Sequence, residues 1–309
     1  MPFKKILPLI IFFGFLALFS VSVFSNQADP NYQWMLYNLR LPRFILSFSV
    51  GAILSLCGLY YQSIFQNPLA SPYTLGTSMV SSFAAVLLFS LGLQGQSNIV
   101  WAVFLGGSLG YFFLMLFSQF MSSNRRDGLL LAGIAQSLLF SSLVLFVQIY
   151  SSPYINQRVI HWMVGSLSVV GWIEPLCAFG ALIFIIFFTV FRWSRVEVLS
   201  LGDDFSTTRG VNPDRERNLI IALVSFIIAL VVAIVGPIGF VGLVVPNFVR
   251  LIFSKRMPQW PYLAIIFGGI FLSSCDFLVR LLFPDREIPI GIITSLIGAP
   301  LFIAILRKK

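Results

Sequence analysis

Charge is what this sequence has least of. Of its 309 residues only 10% are Asp, Glu, Lys or Arg, against roughly a quarter in ordinary soluble chains. It has 11 acidic residues, one histidine (His161) and three cysteines (Cys57, Cys177, Cys275). Each shortage closes a route to function. One histidine with no HExxH and no Cys or acidic neighbour cannot make a metal site, and no carboxylates pair within the apolar runs. An intramembrane enzyme would have almost no residues to work with. His161, beside Trp162, reads as interfacial packing. The cysteines lie in or beside apolar runs without ligand or redox spacing and read as small core residues. The five lysines are Lys4, Lys5, Lys255, Lys308 and Lys309, and none follows a glycine. A Walker A loop, whose Gly-Lys holds phosphates, cannot form here. Low-complexity tracts and soluble-domain stretches are also missing.

Apolar residues fill the gap. They make up 58% of the chain, with 33 Phe and a mean hydropathy of +0.93. The fold class is therefore all-α and polytopic in a membrane, with residues 1–309 as one transmembrane domain. The net charge of +9 sits in small groups at the ends of apolar runs, which is a topology signal and not a nucleic-acid footprint.

A bilayer core of about 30 Å takes about 20 helical residues. That length predicts ten spans: Ile6 to Phe24, Phe44 to Ile64, Tyr73 to Leu93, Ile99 to Gln119, Leu129 to Ile149, Glu174 to Phe191, Leu219 to Val235, Phe240 to Phe253, Trp260 to Leu282 and Pro289 to Leu306. The eighth is short and holds Pro246. The run Ile160 to Trp172, broken by Gly165 and Gly171, stays outside the count. MPFKK and the apolar run after it exceed signal-peptide proportions, so the first span is expected to be retained. With the first span entering from the cytoplasm, fifteen basic residues fall inside and five outside, these being Arg40, Arg43, Arg158, Arg280 and Arg286. Both termini are then cytoplasmic. Spans two and seven cross in opposite directions, which permits an inverted repeat without showing one.

One polar island divides the chain: Arg192 to Arg217, RWSRVEVLSLGDDFSTTRGVNPDRER. It holds five acids (Glu197, Asp203, Asp204, Asp214, Glu216) and five arginines (Arg192, Arg195, Arg209, Arg215, Arg217). A segment meant to lie on anionic lipid should be polybasic. Balanced charge suits a surface for another protein, or a solvated loop.

Four further stretches carry chemistry. In LRLPR, Pro42 fits the first turn of a helix, and Arg40 and Arg43 can face one way at its mouth, as docking groups or as snorkelling anchors. QNPLASPYTLG, Gln66 to Gly76, breaks any helix yet carries no charge, so it is either a tight turn or a segment lining a cavity. Asp276 and Arg280 are four apart on one helical face, where an ion pair is favoured over a proton relay. GPIGFVGLVVPNFVR, Gly236 to Arg250, allows close helix contact and a broken helix.

Together these residues resemble a known family. RLPR with GAILSLCGLYYQSIFQNPLASPYTLG, then LLLAGIA, WMVGSL, LGDDFSTTRG, GPIGFVGLVVPNFVRL, CDFLVR and IPIGIITSLIGAPLF resemble, in order, the signatures of FecCD-type permeases. These are membrane subunits of type II ABC importers for ferric siderophores, haem and cobalamin. The resemblance runs from about Arg40 to the C-terminus. It implies a ten-helix permease that pairs with a second copy, or with a related permease, around a path lined by the fifth span. It also implies a cytoplasmic ATPase dimer, an extracytoplasmic solute-binding protein and a bacterial inner-membrane location. No cofactor would be bound directly, since ATP and magnesium belong to the ATPase, and no metal site is implied.

By motif position, Arg40, Arg43 and Arg280 would receive acidic residues of the binding protein. Asn67, Pro68 and Leu69 would form a cytoplasmic gate, with Arg126 and Asp127 at a second constriction. Leu201, Gly202, Asp203, Asp204, Ser206, Arg209 and Gly210 would form the coupling segment against the ATPase. Departures from the pattern fall at Asn247, where Pro-His is usual, at Ser206, where Ala is common, at Arg209, where an apolar residue usually precedes Gly, and at Ser254, Lys255 and Arg256. The competing function is a secondary transporter driven by protons or sodium, which would be expected to carry ionisable residues near mid-membrane. Asp276 is the one acid well inside a predicted span.

Overall fold

In a bilayer every backbone N–H and C=O must be satisfied within its own segment, so apolar runs of this length fold as helices. The computed structural model describes residues 32–309 apart from 94, 122–124, 254–256, 284–287 and 308–309. Among the described residues the chain is helical throughout its regular parts, with no strand. A helical turn Tyr32–Met35 and a π-turn Leu36–Arg40 lead into α1 (Leu41–Ile64). Then follow α2 (Thr77–Ser90), α3 (Gln96–Ser118), α4 (Arg125–Tyr150), α5 (Pro153–Met163) and α6 (Ile173–Ser200). The short α7 (Asp203–Thr208) precedes α8 (Pro213–Val235), α9 (Val241–Ile252), α10 (Trp260–Leu282) and α11 (Ile290–Leu306).

Among the described residues six helical segments are long and apolar enough to cross a membrane: Gln33–Ile64, α3, α4, α6, α8 and the segment Met257–Leu282. Three shorter apolar helices, α2, α9 and α11, stand where the third, eighth and tenth spans were expected. The expected first span, Ile6 to Phe24, lies outside the described residues.

Helix α1 is the axis of the bundle. Its span window is 83% buried, against 28% for α4 and for α6. Lipid tails are as apolar as Leu, so helices in a membrane associate by close packing and not by leaving water. Two glycine contacts supply that closeness. Gly51 faces the carbonyl of Gly268 on α10, and Gly58 faces the carbonyl of Gly242 on α9, with no room at either for a Cβ. Hydroxyl contacts tie α1 to two more neighbours and again to α10: Tyr60 donates to Thr189 Oγ1 on α6 (2.9 Å), Tyr61 meets Ser225 on α8 (3.2 Å), and Ser47 meets Ser273 on α10 (3.0 Å).

Several expectations change. Pro42 stands in the first turn of α1 as expected, but a helical turn and a π-turn run straight into that helix. A proline has no N–H for the carbonyl four residues back, which here is Asn38. That carbonyl instead accepts from the backbone N–H of Gly171 at 2.8 Å. The island is not a loop. It is the last turns of α6, the helix α7 and the first turn of α8. Cys57 and Cys275 are buried as expected, but Cys177 is exposed on α6.

Candidate functional site: polar clusters at the two ends of one helix

The α1 axis runs from Arg43 to Gln66, about 34 Å at 1.5 Å per residue, close to the thickness of a bilayer core. Each end carries a polar cluster.

At the Arg43 end, Asp276 is 1% exposed and holds two arginines. Arg43 Nη2 lies 2.7 Å and Nε 2.9 Å from Asp276 Oδ1, while Arg280 Nη2 lies 3.2 Å from Oδ2. The expected Asp276–Arg280 pair is present. Arg43 joins it from a helix 233 positions away in sequence, which no spacing rule reveals. The carboxylate fixes both guanidinium groups at the bundle end, with about a fifth of each side chain exposed. Nearby, His161 lines a cleft with Arg158 and Trp162, and Arg158 lies 5.6 Å over the Phe89 ring.

At the other end, QNPLASPYTLG forms an ordered irregular segment. Asn67 Oδ1 accepts from the N–H of Leu69 at 2.9 Å, and Ser71 and Thr74 exchange hydrogen bonds. Leu69 is left half exposed. Asn247, 0% exposed, donates through Nδ2 to the carbonyls of Pro68 and Leu243, both at 2.8 Å. The unusual Asn247 therefore ties this segment to α9. Pro246 leaves the Gly242 carbonyl without its helical donor, and Gln62 reaches it through Nε2 at 3.4 Å and Leu243 O at 3.2 Å.

Gln66 is the residue that sequence reasoning missed. It has a positive φ of 49°, a region uncommon for a side-chain-bearing residue. Its Nε2 donates to the carbonyls of Ser200 (2.9 Å) and Leu199 (3.3 Å) at the end of α6, and its Oε1 accepts from Arg126 Nη1 at 2.7 Å. Arg126 also pairs with Asp203 at 3.0 Å, the first residue of α7. Asp203 pairs with the fully buried Arg217 at 2.8 Å, Arg217 with Asp214 at 3.4 Å, and Asp214 with Arg125 at 3.5 Å. A chain of polar contacts thus joins the segment after α1 to the start of α4, to α7 and to the start of α8.

Helix α7 presents Leu201, Asp204, Phe205, Thr207, Thr208 and Arg209 outward, with Arg209 stacked 5.3 Å over the Phe205 ring. Gly202, with φ of 125°, makes the turn into it, and Gly210 follows it, exposed, at φ 74°. Ser206 departs from its expected role in a partner contact. It is 0% exposed and its hydroxyl donates to Gly202 O (2.7 Å) and Val198 O (3.2 Å) within its own chain. Asp127 is exposed on the first turn of α4. Among the described residues no three His, Cys, Asp or Glu come together.

The comparisons with known proteins agree with this architecture. The chain matches the model of the FecCD transport family over residues 6–308. It is 32% identical over 286 residues to the Fe(3+) dicitrate transport system permease protein FecD of Escherichia coli, covering 91% of this chain and 88% of that protein. It is 33% identical over 281 residues to the vitamin B12 import system permease protein BtuC of Klebsiella pneumoniae, covering 90% and 83%. Among solved structures, an inward-facing metal-chelate type ABC transporter superposes with a TM-score of 0.88 at 29% identity, covering 99% of both chains. A multi-pass helical bundle built on α1, with the family's model matched almost end to end, belongs to the FecCD transport family.

Proposed function

We propose that this chain is the membrane-spanning permease of an ATP-binding cassette importer. It moves a metal chelate of the siderophore, haem or cobalamin class inward, using ATP hydrolysed by a separate subunit. The observation that carries this reading is the polar chain Gln66–Arg126–Asp203–Arg217. It connects the Asn67, Pro68 and Leu69 segment, read as the cytoplasmic gate, to α7, read as the coupling helix. A partner ATPase dimer that moves α7 would pull on Arg126 through Asp203, and so on the end of α1. The chain has no Gly-Lys pair to hold nucleotide phosphates, in keeping with energy supplied from outside it.

Arg40, Arg43 and Arg280 face a solute-binding protein outside the inner membrane. The exposed apolar faces of α4, with Leu131, Ile134, Leu138 and Leu145, suit a second permease copy across a shared path. Ten spans would put both termini in the cytoplasm. A proton- or sodium-driven carrier fits less well, because Asp276 is locked between two guanidinium groups and is poorly placed to cycle a proton.

The test is uptake by reconstituted vesicles. Permease with its ATPase and binding protein is expected to accumulate ferric chelate only with ATP on the ATPase side. Accumulation by the permease alone on an imposed ion gradient would overturn the reading.

The polar chain has its own expected signature. Arg126→Gln should leave ATP hydrolysis by the full complex within about two-fold of wild type while uptake falls about ten-fold, as lost transmission and not lost folding. Gln66→Gly relieves the positive φ but deletes the side chain. It should uncouple in the same way if the side chain transmits, and should match wild type if only the turn matters. Parallel assays of hydrolysis and uptake separate these outcomes.

A further inference from the structure

The island sums to zero charge, but the fold separates its signs. Asp203 and Asp214 are drawn to one side by Arg125, Arg126 and Arg217. On the other side, between the ends of α6 and α8, lies a cavity of about 580 Å³ lined by Arg192, Arg195, Arg209, Arg215, Glu216 and Leu219, among others. Glu216 is its one lining carboxylate, shared by Arg192 at 2.7 Å and Arg195 at 2.6 Å. Four guanidinium groups around one carboxylate leave the cavity strongly cationic. Planar guanidinium forks match phosphate oxygens bidentately.

Its position adds a second element. Arg192 and Leu219 mark where the apolar runs of α6 and α8 give way to the island. Arg195 continues a helical stripe of Phe191, Phe187 and Phe184, spaced four, four and three residues apart on one face. These phenylalanines are 65%, 63% and 56% exposed, and the Phe187 and Phe191 rings touch with centroids 4.7 Å apart, tilted by 60°. An apolar track thus climbs from bilayer depth into a cationic cavity at the headgroup level.

We propose that this cavity binds the phosphodiester headgroup of an anionic phospholipid, with an acyl chain along Phe184, Phe187 and Phe191. A free phosphate would use the arginines but not the track, and an acidic protein segment would have no use for the phenylalanines at bilayer depth. Because Arg209 both lines the cavity and stacks on Phe205 of α7, a bound lipid would steady the helix read above as the coupling element.

The experiment is native mass spectrometry of the full-length permease released from vesicles of equal phosphatidylglycerol and phosphatidylcholine. Wild type is expected to retain phosphatidylglycerol about ten-fold or more over phosphatidylcholine. The Arg195→Gln, Arg215→Gln double variant keeps Arg192 on Glu216 and should lose most of that preference, about 10- to 30-fold for two cations near a lipid phosphate. If the double variant does not fold, Arg215→Gln alone should reduce the preference about five-fold. Equal retention of the two lipids by wild type overturns the proposal, as does an unchanged preference in the variants. Displacement of phosphatidylglycerol by millimolar inorganic phosphate also overturns it, assigning the cavity to free anions instead.

Discussion

Gly58→Val is expected to give no folded, monodisperse protein. The added Cβ would sit on the backbone carbonyl of Gly242, which cannot rotate aside as a side chain could. Overpacking against movable neighbours costs about 1–3 kcal/mol. Here α9 would have to leave α1, and with it the Asn247 hydrogen bond to Pro68. The expected cost is therefore at or above about 3 kcal/mol, out of a total stability on the order of 5–15 kcal/mol. Gly180→Ala is the matched control, since nothing lies within 4 Å of its added Cβ. That change in the middle of α6 should be neutral or stabilising by about 0.5–1 kcal/mol. Size-exclusion profiles and melting curves of both variants check the pair. A Gly58→Val permease that elutes and melts like wild type would mean that α1 and α9 do not meet as described.

Asp276→Asn carries the second large effect. The amide keeps the shape of the carboxylate but leaves Arg43 and Arg280 facing each other without the charge that Asp276 puts between them. Breaking a buried pair by removing one partner costs about 3–5 kcal/mol, and the lower end applies because both arginines keep about a fifth of their surface in water. The variant should melt well below wild type, and Arg280→Gln added to it should restore part of the loss by removing the repulsion. Binding-protein association should also weaken in Asp276→Asn, because Arg43 and Arg280 lose the group that holds their forks in place. A melting curve superimposable on that of wild type would show that the carboxylate is not the anchor of this end.

How much of this was legible beforehand follows from range. Apolar runs of membrane length mark their own helices, and the second and ninth predicted spans end at Ile64 and Leu282 as α1 and α10 do. The ends of α4 and α6 lie beyond the predicted spans, because Arg125 and Arg126, and Arg192, Ser194, Arg195 and Glu197 after Phe191, lower the hydropathy even though Trp193, Val196 and Leu199 among them are buried. Those helices run on as the scaffold of the polar chain. The Asp276–Arg280 pair could be read because four residues fix a helical neighbour. Arg43 on Asp276, Arg126 on Asp203 and Asn247 on Pro68 could not, because each joins helices far apart in sequence. For Gln66 the available signal was its place just before Asn-Pro at the end of a long apolar run. Nothing in its own identity marked the positive φ. The neutrality of the island says nothing of how its charges are arranged, and it is the arrangement that makes a cationic cavity.

The glycine contacts along α1 also bear on how such a bundle can move. Backbones that touch at Gly51–Gly268 and Gly58–Gly242 cannot slide past each other without losing their closest packing. So α1, α9 and α10 form a stator. Gln66, which bonds Arg126 of α4 and the last carbonyls of α6, is one place where that unit meets the two less buried helices.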